Sequence, residues 1–156
     1  MRNLFLSLSF LLCCTAMSGA HRERVNPAAD PPTTRTIHLR VSNVKVARGM
    51  IWVGIYEGDH DFMDREKARI IGVNVEAAGD NYLELPDMVV NQEYALAVFH
   101  DVDNDGDMNR NWLGLPSEPW AFTGEAKTRL RLPTFSEVKF RVTESLGLTS
   151  LSLRMY

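Results

Sequence analysis

Between His100 and Asn111 the chain reads His-Asp-Val-Asp-Asn-Asp-Gly-Asp-Met-Asn-Arg-Asn, with an aspartate at every second position from Asp101 to Asp107. Carboxylates this close repel one another unless water or a cation compensates them. Calcium loops take oxygen donors at positions 1, 3 and 5, a glycine at 6 for the sharp turn and a carbonyl at 7. Counted from Asp101, the pattern is met by Asp101, Asp103, Asp105, Gly106 and the Asp107 carbonyl, with Asn109 at position 9. The place of the usual bidentate glutamate is taken by Trp112, so the closing carboxylate is expected from Glu118 folding back, with Asp107 as the alternative. The expected metal set is therefore Asp101, Asp103, Asp105, Asp107, Asn109 and Glu118, with Ca2+ as the cofactor. Aspartate, asparagine and glycine are also common turn formers, and a solvated acidic turn or another divalent cation fits the same residues.

The segment that follows carries Trp112, Trp120 and Phe122 around Pro116 and Pro119. These rings suit a platform for a sugar or a peptide, and they equally suit a plug at the end of a core. Other chemistry is sparse. His38, His60 and His100 have no zinc spacing, and no nucleophile elbow or phosphate-cradling glycine loop occurs. The regular carboxylate spacing suits a hard cation better than an acid–base couple. The chain is not expected to be an enzyme.

The elements that must position this loop follow a period of two. Ile37, Leu39 and Val41 alternate with polar residues over Thr36–Ala47, with a change of phase at Asn43 that marks a bulge. Met50–Glu57 forms a second strand after the Arg48-Gly49 turn, and the two are expected to pair as a hairpin. A charged loop with one helical turn leads to strands over Arg69–Ala77 and Tyr82–Leu85, the latter closed by Pro86. Glu93–His100 is the most continuously apolar stretch and reads as a central strand that delivers the acidic loop. Val138–Val142 and Thr149–Met155 complete about seven short strands. The expected fold is all-β: a single antiparallel β-sandwich, immunoglobulin-like or transthyretin-like, with one long acidic loop.

Residues 1–20 have a basic start at Arg2, an apolar run from Leu4 to Leu12 and the small-residue exit Ser18-Gly19-Ala20, the pattern of a cleaved export signal. The run is shorter than the ~20 residues that span a bilayer. Residues 21–35, with Pro27, Pro31 and Pro32, read as a flexible leader and residues 36–156 as one domain. Removing the first 20 of 156 residues, whose only charge is Arg2, leaves 136 residues and a formal charge one unit more negative than the −3 of the whole chain. That balance gives no basic face for nucleic acid. Both cysteines, Cys13 and Cys14, lie in the signal, so a thiol-free mature domain is expected in the periplasm or outside the cell, with no transmembrane segment.

The run Tyr94-Ala95-Leu96-Ala97-Val98-Phe99-His100-Asp101, then Asn104, Gly106 and Asn109, then Leu113-Gly114-Leu115-Pro116-Ser117-Glu118-Pro119-Trp120-Ala121-Phe122, resembles a family of secreted bacterial proteins catalogued as domain of unknown function 2141. Pro133-Thr134-Phe135-Ser136-Glu137-Val138-Lys139-Phe140 is a weaker echo of it. The resemblance spans about Thr36 to Tyr156 and implies an exported β-sandwich, with no activity and no catalytic residues attached. The functional expectation is an envelope or secreted binding or accessory module with a calcium loop and an unidentified protein or carbohydrate ligand. The alternatives are a carbohydrate-binding or weakly carbohydrate-active protein using Trp112–Phe122, and a purely structural envelope protein.

Overall fold

The computed structural model describes residues 31–124 and 131–152. The expected export signal and most of the expected leader lie outside the described residues. Two sheets carry the fold: a three-stranded one of order β4-β1-β8 and a larger one of order β3-β2-β5-β6, with β7 also paired to β5. The strands are β1 (Thr34–Val44), β2 (Met50–Tyr56), β3 (Arg69–Asn74), β4 (Gly79–Val89), β5 (Glu93–Asp101), β6 (Trp120–Phe122), β7 (Phe140–Arg141) and β8 (Leu148–Ser152). One helical turn, α1 (Phe135–Val138), precedes β7. Among the described residues no helix is long and apolar enough to cross a membrane.

The alternation read from the sequence sets the sandwich. Ile37, Leu39 and Val41 of β1 and Leu83 and Leu85 of β4 meet Ile51, Val53 and Ile55 of β2 and Leu96 and Val98 of β5 in one buried cluster. Each is nearly or wholly removed from water, and each such side chain contributes about 1.5–3 kcal/mol of transfer free energy. The phase change at Asn43 is a real irregularity: its φ is 65°, and the register against β4 shifts between Val41 and Val44.

Four local expectations give way to tertiary pairing. β1 and β2 form no hairpin; β1 pairs with β4 and β8, and β2 with β3 and β5. Each strand has a full aliphatic face to bury, and residues 45–49 carry the chain from one sheet to the other so that the two faces oppose across the core. β4 continues through Pro86, because it is an edge strand where a missing N–H costs no ladder bond; the register shift and Asp87, φ 55°, absorb the proline. Val138 closes α1 instead of opening a strand, since Glu137 accepts the Thr134 N–H at 2.8 Å in a capping box. Finally β8 runs parallel to β1, while the other pairs are antiparallel.

Candidate ligand groove and acidic loop

Alternate residues of β2 and β5 that do not enter the core form the outer face of the larger sheet. Its composition differs from the inner face: Trp52, Gly54 and Tyr56 on β2, Ala95, Ala97 and Phe99 on β5. The register makes rows of them. Trp52 pairs with Phe99, which pairs with Trp120 of β6; one step along, Gly54 pairs with Ala97, which pairs with Phe122. A row of three large rings thus lies beside a floor of one glycine and one alanine.

The ends of this face are covered unequally. At one end Phe62, Phe135 and Val138 cover Tyr56 and Ala95 in a second small core, with Phe62 ring centroids 5.3 Å from Tyr56, 6.0 Å from Phe135 and 6.1 Å from Phe122. Burial pushes the Tyr56 hydroxyl above its ordinary pKa; Asp64 adds to this and Arg65 opposes it. Beside this small core, with the Tyr56 ring against Gly54, a groove of about 390 Å³ opens along Gly54 and Ala97. Its upper walls come from three loops, through Met63 and Arg65, through Met108, Arg110 and Leu115–Pro116, and through Arg131 and Leu132. That volume falls within the range of small-molecule sites, roughly 300–1,000 Å³.

The acidic loop builds one of these walls, and two buried carboxylates shape it. Asp101 is fully buried; its Oδ1 accepts the Asp105 N–H at 3.2 Å, and its Oδ2 accepts the Gly106 N–H at 2.9 Å and the Trp52 indole N–H at 3.1 Å. Burial pushes the Asp101 carboxyl up, but the hydrogen bonds from Trp52, Gly106, Asn104 and Asp105 together outweigh it and hold the group below the usual carboxylate range. Glu118, 6 % exposed, does fold back onto the loop, where its Oε1 accepts the Val102 N–H at 2.8 Å and its Oε2 the Asn109 N–H at 3.1 Å. Between these anchors the Arg110–Pro116 bridge and the Asn111–Leu115 pairing make a nested hairpin. The long connection is thus ordered by its own carboxylates.

The residues expected to bind an ion divide into two groups. One oxygen each from Asp101, Asp103 and Asp105 lie within 4.8 Å of one another, and Gly106 turns the chain with φ 85°. The other three lie outside this group and have partners of their own. Asp107 pairs with Arg65 at 2.8 Å, the Asn109 amide donates to Asp103 at 2.8 Å, and both Glu118 oxygens serve the loop backbone. The expected aromatic platform divides as well. Trp120 and Phe122 line the groove with ring centroids 5.3 Å apart, whereas Trp112 is 90 % exposed on the hairpin, away from it. His100 is buried and donates its Nε2–H to the Arg48 carbonyl at 2.7 Å, a structural place that ties β5 to the turn before β2.

Sequence reading missed Trp52, Phe99, Arg65, Arg110 and Arg131 as groove residues. A signal for the first two exists: the aliphatic phase Ile51-Val53-Ile55 is offset by Trp52-Gly54-Tyr56, and a strand with aromatic and glycine on its second face has two faces in use. Trp52 shows why small neighbours accompany it. A Cβ on Gly72, its partner on β3, would lie 2.5 Å from the Trp52 ring, so the indole lies flat on that glycine while Asp101 holds its N–H.

No curated protein and no solved structure matches the chain. Residues 39–147, which span both sheets, the groove floor and the acidic loop, match a bacterial family model. The chain belongs to the family described as "Uncharacterized protein conserved in bacteria", domain of unknown function 2141.

Proposed function

We propose that this protein is a non-catalytic binding module of the cell envelope or its exterior, and that its ligand site is the groove on the outer face of the larger sheet. The observation that carries the reading is the groove itself: about 390 Å³ over a Gly54–Ala97 floor beside the row Trp52, Phe99 and Trp120. Such a trough accepts the flat apolar part of a ligand, which gains from burial and from ring edges at offset-stacking distance. The described residues lining it include no carboxylate, histidine, serine or cysteine, which favours holding a ligand over transforming one. The pattern of residues 1–20 supports export.

The test is binding of the neutral fluorophore N-phenyl-1-naphthylamine, read by its emission. Wild type is expected to bind it, and Ala97→Leu, which fills the floor with an apolar side chain, to lose it while melting at or above the wild-type temperature. Binding that survives this substitution places the ligand elsewhere and removes the groove from the reading.

A second reading, calcium held by the acidic loop, is favoured by the convergence of Asp101, Asp103 and Asp105 and by Gly106 at the turn. With Kd on the order of 0.1–1 mM, as in extracellular modules, ~1 mM calcium adds about 0.4–1.4 kcal/mol. The ion would stiffen the groove wall without acting as a switch. A calcium-selective rise in melting temperature over EDTA, abolished by Asp103→Asn, is the expected outcome; identical melts with EDTA, calcium and magnesium would sink it.

A further inference from the structure

We infer that the groove selects aryl acids: ligands with a flat apolar body on the Gly54–Ala97 floor and one acidic group, carboxylate, sulfonate or phosphate, turned to Arg110. The inference deepens the groove reading above and rests on it. Three guanidinium groups, Arg65, Arg110 and Arg131, stand around the groove, and no acidic residue is among its described lining.

The three cations are not equivalent. Arg65 is engaged with the Asp107 carboxylate at 2.8 Å and the Gly106 carbonyl at 2.9 Å. Arg131 grips both oxygens of Glu137, at 2.9 and 2.8 Å. Arg110 instead donates to a neutral group, the Gly114 carbonyl at 3.0 Å, and among the described residues no carboxylate lies within ion-pairing distance of it. Its backbone is fixed by the bridge to Pro116. An uncompensated guanidinium on a tied hairpin beside an apolar trough recognises an anion at reduced ordering cost.

Other ligand classes fit less well. A cationic amphipath would meet the Arg110 guanidinium, which has no carboxylate partner among the described residues. A sugar would bury hydroxyl groups against a floor of glycine, alanine and aromatic rings with few polar partners, which is costly. A flexible acyl chain gains burial but forgoes the ring-edge contacts of Trp52, Phe99 and Trp120.

The experiment uses two probes that differ by one acidic group, N-phenyl-1-naphthylamine and 8-anilino-1-naphthalenesulfonate, on the full chain and on the Arg110→Gln, Arg110→Lys and Ala97→Leu variants. The sulfonate is expected to bind about three- to tenfold more tightly than the neutral probe, a preference that shrinks as salt is added. Arg110→Gln brings the two affinities together, Arg110→Lys keeps the preference, and Ala97→Leu removes both probes. If both probes bind wild type equally and both are lost in Ala97→Leu, the groove reading stands and the anion inference is overturned. If neither probe responds to Ala97→Leu, the groove reading itself falls. Displacement of the sulfonate by 2-naphthoate, with decanoate weaker, supports the aryl body; equal or better displacement by decanoate overturns it.

Discussion

The two faces of β2 and β5 are made by alternate residues of the same strands, yet they have opposite consequences. Inward, Ile51, Val53, Ile55, Leu96 and Val98 are at most 2 % exposed and close against β1 and β4. Outward, Trp52, Gly54, Ala97 and Phe99 mix the largest side chains with the smallest, and among the described residues no second sheet covers them. Branched aliphatics of similar size interdigitate with few voids. Rings standing beside glycine and alanine leave a trough open among the described residues. Stability is concentrated on one face, and the recognition proposed above uses the other.

This division is broken most directly by truncation on the inner face. Leu96→Ala should cost about 2–5 kcal/mol, read from urea denaturation; a cost below ~1 kcal/mol would mean that the two sheets are not packed as described. Next in size is the hinge between the faces, Asp101, which emerges from β5 and holds both the Trp52 indole and the loop backbone. Asp101→Ala leaves buried donors unmatched and should cost about 1–3 kcal/mol. It should also blue-shift or broaden tryptophan emission by releasing Trp52, and unchanged emission would argue against that tie.

Acid should act through the same residue. The folded-state pKa of Asp101 is depressed, so its contribution is present above the unfolded carboxylate value of ~4 and is lost as pH falls through the lower folded value. Glu137, which the Arg131 guanidinium and the Thr134 N–H hold down to about 2, acts in the same direction. Denaturation followed from pH 6 to 3 should show stability falling, with a shallower slope in Asp101→Asn; parallel slopes would remove Asp101 as the source. The smallest stability effect is expected on the outer face itself. Ala97→Leu should change stability by less than ~1 kcal/mol, because Ala97 is only partly buried at the edge of the second small core and the added volume can enter the groove. A large loss there would show that the floor is structural and the comparison of faces false.

The acidic loop shows how far spacing alone carries. The positions of Asp101, Asp103, Asp105 and Gly106 identified a loop with converging carboxylates, and that they converge is a local matter of a short chain turning on a glycine. Glu118 was legible as a residue that folds back, but its partners were not. Whether a carboxylate meets a cation or a row of N–H groups depends on which backbone donors the fold leaves unpaired. Trp112 and Trp120 are equally aromatic in sequence, and only the nested hairpin separates them, leaving one in solvent and drawing the other into the sheet.

By itself, the sequence determined what is local: the period of two that makes strands, the division of each strand into an aliphatic and a second face, the bulge at Asn43 and the turn at Gly106. These follow from side-chain alternation and from the few residues that tolerate positive φ. Tertiary structure decided which strands became neighbours: β1 against β4 and β8 with none of the expected pairing to β2, and the short β6 beside β5. It also brought Arg65, Arg110 and Arg131, far apart along the chain, around one floor. Pairing and convergence are set by how complete faces bury against one another over long sequence separations, and no window of adjacent residues contains that competition.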